Sequence, residues 1–492
     1  MDSLRKALLF IFICSLCLFN LNYAKSLNSA NQCFICHESN GDKASLLFKK
    51  DIHFKAGVTC AGCHGGDPRT DDMEKAMSKR SGFIGVPKGD DISKACKKCH
   101  SNPEIMKKYN SVLPTNQAGL LQMSVHGKLS TSGKENMLQC ISCHNAHGIA
   151  HVKDKASPVH PSNVIKTCGS CHSNASFMRT YNPSLPIDQA VKYRTSVHGM
   201  LHAKGDNKVA VCTSCHGGHD IRQKNDLKSK VYKTNLPSTC AHCHSNSEYM
   251  KEYKIPTNQF EKYTQSVHGI ALLKKHDVSA PACNDCHGNH GATPPGIESI
   301  SKVCGTCHAL NSELFSSSPH KKAFDERKYP ECETCHGNHE IITATDRLLG
   351  VDKGAVCGNC HKQNDNVKGF KVAKTMRMLI DSLENSEKRA IALVNEAEQK
   401  GMEISEAKYK LRDAHQARLE ARTMVHSFNL SKFQGVVRKG FSTASIVNHE
   451  AELAVNDYYY RRYGLGVATL IITILVISLY KTIRRIERKK KV

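Results

Sequence analysis

Eleven copies of one five-residue pattern, Cys-x-x-Cys-His, set the terms on which this chain can fold. Their first cysteines are Cys33, Cys60, Cys96, Cys140, Cys168, Cys212, Cys240, Cys283, Cys304, Cys332 and Cys357. Their second cysteines are Cys36, Cys63, Cys99, Cys143, Cys171, Cys215, Cys243, Cys286, Cys307, Cys335 and Cys360. The closing histidines are His37, His64, His100, His144, His172, His216, His244, His287, His308, His336 and His361. The motifs sit inside a longer repeat. Ser124-Val125-His126-Gly127 precedes a motif at Cys140, whose histidine is followed three residues later by His147, and then a motif at Cys168. The same order returns at Ser196-Val197-His198-Gly199 and at Ser266-Val267-His268-Gly269, shifted by 72 and then 70 residues at the lone histidine. A worn fourth copy begins at Ser318-Pro319-His320, and a worn early one at His53. The motif at Cys33 stands alone in front.

Cys-x-x-Cys-His is the attachment signature of c-type haem: both sulfurs must meet one porphyrin edge, and the adjacent histidine then lies under the iron. The motifs take 22 of the 24 cysteines, and every one carries its histidine. Zinc ribbons or a disulfide framework would not require a histidine at that place each time. The expected cofactor is therefore haem c, eleven per chain, bound covalently.

Seventeen further histidines remain to supply second axial ligands. A transfer haem generally takes two strong ligands, which limits rearrangement on reduction. His126, His198 and His268, with His53 and His320 in the matching place of the worn copies, form one repeated set. His147, His219, His290 and His339 form another. Three residues is too short a reach to the other face of the same iron, so these are expected to serve neighbouring haems. The first copy has Asp67 where the others have this histidine. Nine repeated histidines leave two of eleven irons unserved. His426, on a helical tail, is expected to supply one; His160, between Pro158-Val159 and Pro161, and His449 are further candidates.

The motifs span Cys33 to His361, about one haem per 30 residues, too little chain to close an apolar core for each. The expected fold is mostly α and irregular, packed on haem, with little sheet, and it should not form without the cofactor. The formal charge of +24 omits the propionates, about two per haem, which offset it nearly completely. Nucleic acid is not an expected partner.

Residues 1–24 read as a secretory signal peptide, with Arg5 and Lys6 before an apolar run. Cys14 and Cys17 fall inside that run and lack the following histidine. Residues 25–368 form the haem region, and 369–462 carry a helical period, interrupted at Gly401, that suggests a hairpin or three-helix unit. Residues 463–481 read as a transmembrane helix bordered by tyrosines, and 482–492 as a basic tail. Seven cations, from Lys481 at the end of the span onward, lie on one side and two, Arg461 and Arg462, precede it. This asymmetry puts the tail in the cytoplasm and the haem region on the periplasmic face of the cytoplasmic membrane.

The doubled motifs, the Ser-Val-His-Gly segments and the trailing histidines resemble the exported multihaem c-type cytochromes of the broad class III group. That resemblance implies haems arranged as an electron conduit. The helical tail and anchor resemble, more loosely, the octahaem hydroxylamine oxidoreductase and nitrite reductase group, although no motif here ends in lysine. The expected function is electron transfer between a membrane quinone-linked partner and downstream acceptors, including other cytochromes, with no catalytic residue. The alternative is a reductase of a small nitrogen or sulfur compound (nitrite, hydroxylamine, tetrathionate) at one open haem, that of Cys60–His64 or of Cys33–His37.

Overall fold

The structure is a computed structural model. It describes residues 31–128, 137–296, 300–364 and 367–490; the expected signal peptide lies outside them. Among the described residues there are helices, turns and irregular segments but no strand. The repeat writes the same local structure each time. In three copies one motif ends a longer helix: Asp90–His100, Pro161–His172 and Leu236–His244. The Ser-Asn that follows restarts the chain. Asn102, Asn174 and Asn246 each accept a hydrogen bond from a backbone amide of the next helix, satisfying donors that a helix start leaves free. Those next helices bury Met106, Met178 and Met250 in turn.

The serine of Ser-Val-His-Gly is a capping residue. Ser124 and Ser196 are 1% exposed. Their hydroxyls donate to Leu121 O and Tyr193 O and accept from the amides of Gly127 and Gly199. The glycine is required by crowding. A Cβ at Gly127 or Gly199 would lie 2.0 or 1.9 Å from those same carbonyl oxygens. The lone histidine is thus fixed by its neighbours on both sides.

Chain contacts divide the protein into two units. The first, Met1–Glu261 with His268–Pro294, contains eight motifs; among its described residues the buried aliphatic cluster is Val164, Ile165 and Val211, flanked by Cys168 and Cys212, and other buried apolar side chains such as Phe34, Phe48 and Leu272 are not part of it. So small a core leaves the apolar burial that holds a domain together to be supplied by something other than side chains.

The second unit, Lys262–Val267 with Pro295–Val492, has three motifs and three long helices: α1 (Val367–Gln399), α2 (Ser405–Met424) and α3 (Leu430–Lys490). Gly401, at φ +73°, turns the chain between α1 and α2. Val425–Ser427 forms a single 3-10 turn between α2 and α3. Two apolar clusters join the helices. One gathers Met376, Ile380, Leu383, Ala421, Phe433 and Val437 with Leu349; the other gathers Ala390, Val394, Ala397, Ala407, Val447 and Ala451. Cys357 packs on the first cluster, which ties the last motif to the helices. Each fully buried Leu or Phe here contributes roughly 2–3 kcal/mol of transfer free energy.

The tail expected as an amphipathic stretch followed by a separate span is one uninterrupted helix. At 1.5 Å per residue, the 61 residues of α3 run about 90 Å. Its first half packs against α1 and α2. Its apolar second half, including Leu470, Ile471, Leu475 and Leu479, is wholly exposed. A long helix this apolar, covered by no part of the protein, fits a bilayer.

Candidate haem-binding site

The structure brings motif histidines face to face with histidines from elsewhere. His53 lies 5.9 Å from His100, His147 6.1 Å from His64, His126 6.0 Å from His172, and His219 6.0 Å from His144, measured between ring centres. His198 is 6.1 Å from His244, and His290 6.1 Å from His216. In the second unit His320 is 5.8 Å from His361, and His426 is 6.0 Å from His336. An iron held by two imidazole nitrogens at about 2 Å each, with each ring centre about 1 Å beyond, sets the centres about 6 Å apart. The gap in every pair is the width that one bis-histidine iron fills. Among the described residues no three or more of His, Cys, Asp and Glu converge on one point, as a four-coordinate zinc would need.

The pairs form two geometric classes. In four pairs, whose motifs each lie on a short α-helical turn, the ring planes are near parallel. The angles are 10° for His64–His147, 15° for His144–His219, 17° for His216–His290 and 22° for His336–His426. In the other motifs the planes cross, at 83° for His53–His100, 55° for His126–His172, 56° for His198–His244 and 78° for His320–His361. The first class faces a histidine from further along the chain, the second a histidine from earlier in it. His426 takes the first kind of place: it stands opposite His336, where no further repeat follows to provide a trailing histidine.

One backbone hydrogen bond ties the two kinds of facing histidine together. Val125 N–H donates to Ile221 O at 2.8 Å and Val197 N–H to Ala292 O at 3.1 Å. Ile52 N–H donates to Ile149 O at 2.8 Å and Val267 N–H to Ile341 O at 2.9 Å. Each bond runs from the residue before a lone histidine to the residue two past a trailing one. In the worn first copy Asp51 replaces the serine. It is 1% exposed, accepts from the amides of His53 and Ile149, and takes a 2.9 Å bond from His53 Nδ1. Those bonds hold its carboxyl below the usual carboxylate range against the opposing effect of burial. Sequence reasoning missed Asp51; its signal was the Asp-Ile-His that stands in for Ser-Val-His.

The residue after the short-turn motif has positive φ each time: Gly65, Asn145, Gly217, Gly288 and Gly337, at 68° to 84°. This reversal swings the trailing histidine away from its own motif. Asn145 does so as a non-glycine, at a backbone position that favours glycine.

The attachment cysteines follow one another in chain order. First cysteines touch in the pairs Cys96–Cys140, Cys168–Cys212, Cys240–Cys283 and Cys304–Cys332. Electrostatic proximity links Cys33 to Cys60, Cys63 to Cys99, Cys143 to Cys171, Cys215 to Cys240, and Cys335 to Cys357. None of the 22 is in a disulfide.

Burial disfavours a charged imidazole in these pairs. Burial first, then the facing ring, pushes His126 and His320 down to about 4. A neutral imidazole keeps the lone pair that a metal needs. Carbonyl oxygens accept from Nδ1 of His64 (Gly85), His287 (Thr293) and His426 (Thr423), which makes Nε2 the nitrogen suited to bind a metal. The remaining histidines are engaged otherwise. His160 is the N-cap of Pro161–His172 and bonds Ser162; His202 meets Pro161 O; His151 accepts from the Lys153 amide; His415 bonds Glu387. His242, His276 and His449 are exposed.

Residues 52–173 match the family model described as cytochrome c3. That stretch holds the motifs at Cys60, Cys96, Cys140 and Cys168 and is similar to a multihaem c-type cytochrome family. Over 302 residues the chain is 20% identical to the C-type polyheme cytochrome OmcC of Geobacter sulfurreducens, covering 53% of this chain and 37% of that one. The chain thus spans well under two thirds of its relative. Neither match is to the hydroxylamine oxidoreductase or nitrite reductase group that the helical tail resembles. No solved structure matches. The matches and the paired cysteines support covalently bound haem c and electron transfer.

Proposed function

We propose that the chain is a membrane-anchored electron-transfer protein of the cytoplasmic membrane. Its haem region faces the periplasm, and it carries electrons between a quinone-linked membrane partner and downstream acceptors such as other cytochromes. Each Cys-x-x-Cys pair holds one haem c, eleven in all, and the closing histidine is one axial ligand. His53, His126, His147, His198, His219, His268, His290, His320, His339 and His426 serve as second ligands. When bound, the haem supplies one-electron chemistry. The observation that carries this reading is the succession of attachment cysteines, motif after motif, within each unit. Side chains do the rest. They fix both imidazoles, keep them neutral and exclude water. The exposed half of α3 inserts in the bilayer, and the cations from Lys481 onward stay in the cytoplasm.

In membranes containing the chain, a substrate that feeds the quinone pool is expected to reduce the haems within seconds, and a quinone-site inhibitor to stop it. A chain ending at Arg462 is expected to leave the membrane and lose that reduction. Haem reduction indifferent to the inhibitor, or retained by the shortened chain, would count against a quinone-linked role. A second reading, reduction of a small nitrogen or sulfur compound, is favoured by one observation: no imidazole faces His37 among the described residues.

A further inference from the structure

We propose that the haem held by Cys33, Cys36 and His37 keeps one axial position open and takes there a small exogenous ligand with a nitrogen, oxygen or carbon donor. The inference rests on the haem assignment above. It comes from the register of the repeat. In the crossed class the facing histidine always precedes its motif: His53 for His100, His126 for His172, His198 for His244, His320 for His361. In the near-parallel class it always follows. The cysteine contacts alternate along the chain, and they place the motif at Cys33 in the crossed class, ahead of the near-parallel motif at Cys60. Residues 1–32 contain no histidine, and among the described residues no imidazole faces His37. All 28 histidines fall within the described residues. The trailing-histidine place beside it is Asp67, engaged with Arg69. The sequence left two motifs eligible for an open haem. His147, opposite His64, removes the motif at Cys60 from that choice.

The ring itself differs from those of the four motifs that follow it. His37 has a side chain 52% exposed, where His64, His100, His144 and His172 are half-buried. Its Nδ1 meets the carboxylate of Asp42, whereas His64 and His287 use carbonyl oxygens. A carboxylate on Nδ1 makes the imidazole a stronger donor than a carbonyl does. Asp42 is therefore a positioning residue. Through His37 it enriches the iron in electrons and strengthens back-donation to a ligand on the opposite side.

Carbon monoxide added to the dithionite-reduced, detergent-extracted holoprotein tests this, with haem counted per chain. Eleven haems and one bound CO per chain are expected. The Cys33→Ala, Cys36→Ala double variant should hold ten haems and bind none. Asp42→Asn should still bind one CO, with the C–O stretch moved to higher frequency as back-donation weakens. Eleven haems without CO would overturn the proposal, as would binding that survives the double variant or an unmoved stretch in Asp42→Asn. A wild-type count below eleven would overturn it by a separate route, the failure of the haem assignment itself.

Discussion

Replacing His426 with alanine is expected to turn one low-spin haem into a high-spin one while the haem count stays at eleven. His426 lies 6.0 Å from His336 at an interplanar angle of 22°, on a 3-10 turn between α2 and α3. Its Nδ1–H donates to Thr423 O, so the ring is oriented by its own helix end. Burial, and then the nearby His308, keep it below the usual histidine range, as a neutral ligand requires. The near-parallel class of low-spin signals should lose one member and CO binding should rise by one per chain. Added imidazole should reverse both changes. His449→Ala and His415→Ala, at an exposed position and at a ring committed to Glu387, should leave the spectra unchanged. A His426→Ala spectrum identical to wild type would remove the helical tail from the haem ligand set.

Asp346→Ala is expected to cost the second unit about 3 kcal/mol, the lower part of the range for breaking a buried ion pair. Asp346 is 8% exposed and takes bonds from Arg422 at 2.6 and 3.0 Å and from Arg418 at 3.2 Å. Arg418 also reaches Glu387, itself 4% exposed, at 2.5 Å. Removing Asp346 strands the Arg422 guanidinium and takes one of two acidic partners from Arg418. The cost stays moderate because Arg418 keeps Glu387 and Arg422 is 36% exposed. Since α2 carries both arginines and leads directly into His426, loosening it should also weaken that histidine's hold. Hydrogen exchange should show protection along α2 falling about a hundredfold, at tenfold per 1.4 kcal/mol. Unchanged protection would mean that the apolar clusters alone fix α2.

Much of the site was written in the chain. The attachment motifs, the two recurring histidine places and the candidate His426 can all be read from residue order. What could not be read is which ring faces which, because the partners belong to different copies: His147 stands across from His64, more than 80 positions earlier. The bond that organises them, Val125 N–H to Ile221 O, leaves no mark on side-chain identity, since any residue but proline can make it. His160 shows the opposite failure. Flanking prolines suggested a rigidly presented ligand, yet Pro161 at the first helical position makes the preceding residue an N-cap, and the imidazole serves the helix start. The mostly helical fold was legible from spacing and composition. The continuity of α3 was not, because a helical period and an apolar run give different sequence signals while sharing one backbone geometry.

An electron paramagnetic resonance spectrum of the oxidised, membrane-extracted protein, with haem counted chemically, tests the central claim most directly. Near-parallel imidazole planes give ordinary rhombic low-spin signals, and strongly crossed planes give highly anisotropic ones. The proposed haem assignment predicts eleven haems per chain, both low-spin classes in comparable amounts, and one high-spin haem. Fewer than eleven haems, a single low-spin class, or high-spin signal from several haems would contradict the chain of paired histidines.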